Sequence, residues 1–260
     1  GLTEPNAGSD AGNTKTCAVK EGGEYVVNGQ KVFCTNAGQA GIIIFTAKLI
    51  EDGDDKGIGA FIVERGTPGL SIGEPEKKMG WKASDTRSVY FENLRIPLEN
   101  ILGNPSQGFK QFLRTLTGGR ITIGALSLGT AQGGYDAALK YSKEREAFGK
   151  SISHFQGISF KLSDMATQIQ AAKHLVYHAA WLKDNNYDVI KEAAMAKLYA
   201  SEMAMKVTTE AIQVFGGYGY IKEYDVERFF RDAKILEIGE GTSEVQRIII
   251  GREILKSVSV

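Results

Sequence analysis

The sequence predicts an α+β protein: an antiparallel β-barrel or sandwich domain over residues 1–105, then an antiparallel four-helix-bundle domain over residues 106–260. Three observations carry this. The first part holds short apolar segments set off by clusters of Gly, Pro and Asp, the pattern of strands and turns. From Gln107 onward apolar residues recur every three or four positions, the period of amphipathic helices. Four of the five prolines (Pro5, Pro68, Pro75, Pro97) lie in the first part and none follows Pro105, which marks a boundary near Asn104.

In order along the chain, Asn28-Gly29 between Tyr25-Val26-Val27 and Lys31-Val32-Phe33-Cys34 predicts a hairpin with a type I′ turn. Gly41 to Leu49 is a nearly continuous apolar run and predicts a buried strand. Ile58 to Val63 and Arg87 to Phe91 are further strands, with turn-forming stretches at Glu51 to Gly57, Gly66 to Gly69 and Gly73 to Gly80 between them. Phe109, Phe112, Leu113 and Leu116 open a long helix reaching about Lys143, interrupted or closely packed at its many glycines. Phe155, Ile158, Leu162, Met165, Ile169, Ala172 and Val176 give a bundle helix, and Ala196, Ala200, Met203, Val207, Ala211 and Val214 give another. Gly216-Gly217-Tyr218-Gly219 ends it. A shorter helix spans about Asp225 to Ile235. After the break Ile238 to Thr242, Ser243 and Gln246 form an S-x-x-Q capping box for a last helix with Val245, Ile248 and Ile249 as its stripe.

Composition excludes several classes. The 31 basic and 31 acidic residues cancel, so no nucleic acid or anionic membrane is expected as a partner. No apolar run approaches the length of a membrane span. Cys17 and Cys34 are the two cysteines, which argues against a disulfide framework and for a reducing compartment: the cytoplasm, or the mitochondrial matrix in a eukaryote. The first residues resemble neither a signal nor a transit peptide, and without an initiator Met the chain reads as a fragment or a processed form.

Several stretches carry candidate chemistry, each with a plain structural alternative. Thr3 to Asp10 is an N-terminal loop, or a loop whose amides and hydroxyls meet a polar cofactor. Phe33 and Thr35 close a strand, or set an aromatic and a donor against a flat ring. Glu144 to Gly149 ends a helix, or lets Arg and Phe cover an adenine or a phosphate. His174 and His178 have an i, i+4 spacing, but no H-E-x-x-H motif or nearby cysteine cluster accompanies them, and no metal site is expected. Glu240 lies between Gly239 and Gly241 just before a helix start. It is a solvated turn residue or a catalytic carboxylate beside an anion-binding helix end, and spacing alone leaves both open.

The stretches LTEPNAGSD (2–10), VFCTN (32–36), ERxAFG (144–149), QVFGGYGY (213–220) and RDAKILEIGEGTSEVQR (231–247), in this order, resemble the acyl-CoA dehydrogenase family over essentially the whole chain. The resemblance implies that the chain begins where the family's β domain begins, without the family's N-terminal helical domain. It implies FAD as cofactor, an acyl-CoA substrate, electron-transfer flavoprotein as acceptor, and a homotetramer or dimer of dimers. By matching position, Leu2, Thr3 and Ser9 would contact the cofactor, Ser9 also the substrate, with Phe33 and Thr35 beside the flavin. Arg145, Phe148, Gln156, Gln213, Gly216 and Gly217 would reach the FAD of a neighbouring subunit, and Thr242 and Glu244 would face FAD at the helix start. Thr117, Arg120 and Gly241 would contact substrate. Glu240 would be the base for α,β-dehydrogenation of a short-chain or related branched or cyclic acyl group. In other members the base lies on the long helix just before the Arg matching Arg120, where this chain has Gly119. Two departures stand out: Thr117 replaces a common Asp, and Gly239 replaces a common Tyr. The alternatives are an enoyl-CoA reductase or an acyl-CoA oxidase using the same site, or a non-catalytic helical module.

Overall fold

The computed structural model describes residues 1–256. The described chain forms two compact units, Gly1–Arg114 and Thr115 onward.

The first unit is a six-stranded sheet in the order β4-β3-β1-β2-β6-β5. Its strands are β1 Cys17–Glu21, β2 Glu24–Thr35, β3 Ile42–Glu51, β4 Asp54–Glu64, β5 Leu70–Pro75 and β6 Thr86–Pro97. Four pairings are antiparallel, and β1 with β3 is parallel. In a flat sheet β3 and β6, three strands apart, would be separated by about 14 Å. Yet the rings of Phe45 on β3 and Phe91 on β6 stack at 4.3 Å, so the sheet curls over its own core. Phe61 and Tyr25 complete this aromatic cluster. The run from Gly41 is only partly buried: Ile42 and Ile44 are exposed, while Phe45, Ala47 and Leu49 point into the core.

The expected hairpin at Asn28-Gly29 is not formed. β2 runs straight through it, and the turn lies at Gly22-Gly23, where Glu21 pairs with Glu24 and Gly22 has φ 61°. Asn28-Gly29 is instead a bulge against β6. Gly29 has φ 145°, and a Cβ there would come within 2.7 Å of the Thr16 Cα, so a glycine is required for packing rather than for a turn. Strands β1 and β5 escape the sequence reading because both are short, five and six residues.

A buried ion pair ties the N-terminal loop to this sheet. Lys31 Nζ donates to Glu4 Oε1 at 2.6 Å, and both side chains are almost wholly inaccessible. Glu4 also accepts from the Thr14 hydroxyl and from the amides of Lys15 (2.6 Å) and Thr16 (3.1 Å). Lys31 reaches the Leu2 carbonyl at 3.2 Å and the Thr46 hydroxyl at 3.2 Å. Burial works against the Glu4 charge, but the donors from Lys31, Thr14, Lys15 and Thr16 outweigh it and hold the carboxyl at about 2.

The second unit is a helical bundle. α1 (Gly108–Glu144) begins against the sheet of the first unit and continues uninterrupted into the second. A two-stranded hairpin, β7 Glu146–Ala147 and β8 Lys150–Ser151, precedes α2 (Gln156–Asp184) and α3 (Ile190–Phe215). α4 (Val226–Lys234) and α5 (Ser243–Lys256) follow. α2 buries Leu162, Met165, Ile169, Ala172 and Val176, the expected stripe. α3 buries small residues nearly all round and is the central helix. The α1 glycines mark close approaches, as at Gly124, where a Cβ would meet Val176 and Ala196, and at Gly133, where it would meet the Phe229 ring.

The α5 start differs from expectation. Thr242, not Ser243, is the cap: its hydroxyl accepts from the Val245 amide at 3.3 Å and its carbonyl from the Gln246 amide at 3.0 Å. Ser243 is already helical, and its buried hydroxyl has no partner. Gln246 points back at the preceding loop rather than at a cap amide. Ile248 is exposed, and the buried face runs through Ser243, Gln246 and Ile249.

Glu4→Gln leaves the buried Lys31 charge unpaired and is expected to destabilise the protein by about 3–5 kcal/mol, read as a lower urea midpoint. Glu4→Gln with Lys31→Met should recover most of that loss. The folded pKa of Glu4 lies below its ordinary value of 4.5, so its stabilisation is present above pH 4.5 and should fade as pH falls toward about 2.

Candidate active site

In the first unit Leu2, Thr3, Phe33 and Thr35 lie at or beside the end of β2. The Val32 amide donates to the Thr3 carbonyl at 2.8 Å, and Lys31 holds the Leu2 carbonyl, so residues 2 and 3 run along the strand next to Phe33. A second β2 bulge falls between Lys31 and Cys34. It puts Phe33 at φ 57° with two-thirds of its surface exposed (66%). A bulky aromatic rarely adopts that backbone conformation or that exposure without a role. Thr35 is exposed at the strand end, and Ser9 is exposed in the N-terminal loop. The arrangement offers a flat apolar face beside a hydroxyl. Burial pushes the thiols of Cys34 and Cys17 up, which leaves both poor nucleophiles.

In the second unit the predicted residues fall into two groups. Arg145, Phe148, Gly216 and Gly217 line one cavity of about 630 Å³, together with Tyr141, Phe155 and Tyr218. Arg145 lies 5.6 Å from the Tyr218 ring centre. Phe148 sits at the hairpin tip at φ 52° with 95% of its surface exposed. Gln156 opens α2 and Gln213 lies in the last turn of α3; both are exposed, next in sequence to lining residues but not lining the cavity themselves.

The other group surrounds Glu240. The loop residues Glu240 and Gly241 both have positive φ, 53° and 92°. The Glu240 carboxylate lies against the backbone of α1 at Gly119: a Cβ at residue 119 would overlap Oε2 and come within 2.7 Å of Cδ. Glu240 is an exposed residue overall, but its carboxylate end is crowded. Burial pushes its pKa above the ordinary glutamate value, with the Arg120 and Lys197 charges opposing. Arg120, one residue along α1, is buried; its Nε has no partner, and its Nη1 lies 3.5 Å from the Thr117 hydroxyl. Burial pushes the Arg120 pKa down, and Glu240 opposes that shift. Glu244 is exposed, and its own amide and the Thr242 hydroxyl hold its carboxyl below the usual range. Gly241 supplies a carbonyl that accepts from Lys197 and Gln246, both at 2.8 Å. The sequence reading missed Lys197 altogether. The signal was available: Lys197 falls on the small-residue face of α3 with Ala193, Ala196, Ala200 and Ala204.

The two groups lie far apart along α1, one in its first third and the other at its last turn. From Gly119 to Tyr141 the helix advances about 33 Å. Among the described residues no cluster of His, Cys, Asp or Glu is placed to hold a metal, and no helix is long and apolar enough to cross a membrane.

A family model described as "Acyl-CoA dehydrogenase, middle domain" matches residues 1–94, and one described as "Acyl-CoA dehydrogenase, C-terminal domain" matches residues 106–255. The chain belongs to the acyl-CoA dehydrogenase family. A Bacillus subtilis (strain 168) relative named "Probable acyl-CoA dehydrogenase YngJ" is 56% identical over 98% of this chain and 68% of its own length. A relative from Anaerotignum propionicum named "Acryloyl-CoA reductase (NADH)" is 49% identical over 98% of this chain and 65% of its own. The solved structure of butyryl-CoA dehydrogenase from Megasphaera elsdenii matches with a TM-score of 0.94 and 49% identity, over 98% of this chain and 67% of that one. The chain thus spans about two-thirds of the acyl-CoA dehydrogenases it resembles.

Gly119→Ala must displace the Glu240 carboxylate, the free end of a flexible side chain. Unfolding free energy should change by less than about 1 kcal/mol, because alanine's helix propensity offsets the shift. A crystal structure of the variant should show the carboxylate moved off α1.

Proposed function

We propose that this chain carries the catalytic residues of an FAD-dependent acyl-CoA dehydrogenase acting on short acyl groups, with Glu240 as the base that removes the α proton. The observation that carries this reading is the placement of the Glu240 carboxylate on the bare backbone of Gly119. In this family the base stands either on the loop or on α1 just before the Arg matching Arg120. Here both positions converge on one spot, and only Glu240 can fill it.

The residues present fit FAD. Phe33 offers an exposed aromatic face with Thr35 beside it, and the Arg145 cavity pairs a guanidinium with aromatic rings, suited to a phosphate and an adenine. When bound, FAD supplies the two-electron acceptor. The rest falls to the chain. Glu240 takes the α proton, and its raised pKa brings it nearer to that of an activated thioester α-carbon. Its backbone amide is the donor that the resemblance assigns to the thioester carbonyl, whose polarisation makes the α proton acidic. Arg120 and Thr117 would meet the CoA part of the substrate, with a shorter, uncharged group where the family commonly has Asp. Gly239 leaves room beside the base, since a Cβ there would meet only the Ile235 carbonyl at 3.4 Å. The names of the butyryl- and acryloyl-CoA relatives support a small acyl group. The 33 Å between the two groups on α1 supports the reading that Arg145 and Phe148 serve the FAD of another copy, and hence a homotetramer. Electron-transfer flavoprotein is the acceptor we assign. The name of the Anaerotignum propionicum relative favours, as a second reading, the enoyl-CoA reducing direction on the same site.

The test uses the purified protein loaded with FAD, mixed anaerobically with butyryl-CoA. Flavin absorbance should bleach, and Glu240→Gln should slow the bleaching by about 10²–10⁴-fold. Because the active form of the base is the carboxylate, the rate should rise with pH through a midpoint above the ordinary glutamate value of 4.5. A protein that takes up no flavin would instead be a helical module. Bleaching at the wild-type rate in Glu240→Gln would remove Glu240 as the base.

A further inference from the structure

α3 is lined with alanines, and one of its fully buried positions carries a charge. Lys197 has no accessible surface. A lysine is almost never buried to that degree without a specific partner, because taking its ammonium out of water costs more than an apolar residue of the same volume. Its ammonium donates a hydrogen bond to the Gly241 carbonyl, 2.8 Å away. The same oxygen accepts from Gln246 Nε2 at 2.8 Å, and that nitrogen lies 3.2 Å from the Glu240 carbonyl. Two wholly buried side chains, from α3 and α5, therefore grip the two loop residues that adopt positive φ. The charged groups facing Lys197 are Glu237 of the short turn after α4, Glu240 of the loop, Glu244 of α5 and Arg120 of α1.

We propose that Lys197 is a positioning residue for Glu240: it holds the strained loop through the Gly241 carbonyl and places a buried positive charge one residue from the base. This rests on the reading of Glu240 as the base. A tether alone would not need a charge, since Gln246 already binds the same oxygen. The charge acts on Glu240 together with Arg120, opposing the burial that favours the protonated acid. Burial pushes the Lys197 pKa down to about 8, against the pull of the three glutamates, so the ammonium is charged at neutral pH and is lost as pH rises through 8. The carboxylate is therefore supported over a window bounded below by its own titration and above by that of Lys197.

The decisive measurement titrates Glu240 directly. The protein is labelled with carboxyl-¹³C glutamate, and the Glu240 resonance is assigned by its loss in Glu240→Gln. In Lys197→Met the Glu240 midpoint should rise by about half a pH unit or more, and in Lys197→Arg, which keeps the charge, it should return close to wild type. With FAD and butyryl-CoA, the acid limb of flavin reduction should move by the same amount and in the same direction. A wild-type Glu240 midpoint in Lys197→Met, even with a lower melting temperature, would make Lys197 a packing residue and overturn the proposal. If Lys197→Met does not fold, Lys197→Gln keeps a donor to Gly241 without the charge and is read in the same way. A wild-type protein that reduces no flavin would defeat the reading of Glu240 as base, while the carboxyl titration would still decide whether Lys197 sets its charge state.

Discussion

A carboxylate resting on the bare backbone of a helix is the constraint on which the candidate site of the helical unit depends. Glu240 can lie where it does only because residue 119 has no side chain. A glycine inside a helix costs about 1 kcal/mol relative to alanine, and α1 carries this one without interruption because it is otherwise long and well packed. The loop that delivers the carboxylate has little freedom of its own. Thr242 closes the start of α5, Gln246 reaches back from the first turn of the same helix, and Lys197 rises from α3, so contacts from two helices converge on residues 240–242. Strained backbone persists only where its surroundings over-determine it, and this loop meets that condition.

The two units set glutamate in opposite ways. Glu4 meets one ammonium, one hydroxyl and two amides, and these donors drive its pKa down to about 2. It is a permanent anion, suited to fixing the N-terminal loop against β2. Glu240 feels two cations as charges in its surroundings, and burial prevails, so its pKa moves up. A group meant to take a proton cannot be saturated with donors. Hydrogen bonding to the charged form, rather than burial itself, separates the lowered pKa of Glu4 from the raised pKa of Glu240.

This contrast also explains what was legible in the sequence. Helices α2 and α3 follow from periodicity because their buried faces are made of apolar and small residues, and periodicity reports that directly. Asn28-Gly29 misled because a β-bulge and a type I′ turn call for the same residue types; the difference lies in Thr16, whose backbone crowds Gly29 from a neighbouring segment. Ser243 misled because the cap moved back by one residue to Thr242, which freed Gln246 to bind the loop. Lys197 was passed over because lysine is by default a surface residue, although its position on the alanine face of α3 pointed inward. Glu240 could not be decided from spacing, since a solvated turn and a reactive carboxylate share the G-E-G pattern. What the structure adds is the contact of its carboxylate with Gly119, more than a hundred residues away in sequence.

The length of α1 limits how the family's cofactor can be held. Gly119 and Arg120 lie in the first third of this helix, Tyr141 and Arg145 at its far end, and the helix between them is continuous. An advance of about 33 Å along a continuous helix is not closed by rotating side chains. If the Glu240 group and the Arg145 cavity both serve FAD, the two cannot serve the same molecule within one chain. A second copy must bring its Arg145 end to the first copy's Glu240 end, or the cavity has no part in the reaction. The exposure of Phe148 at the hairpin tip, on a backbone conformation costly for an aromatic, fits the first alternative: the ring is held out from its own chain, as a contact to another copy's cofactor requires.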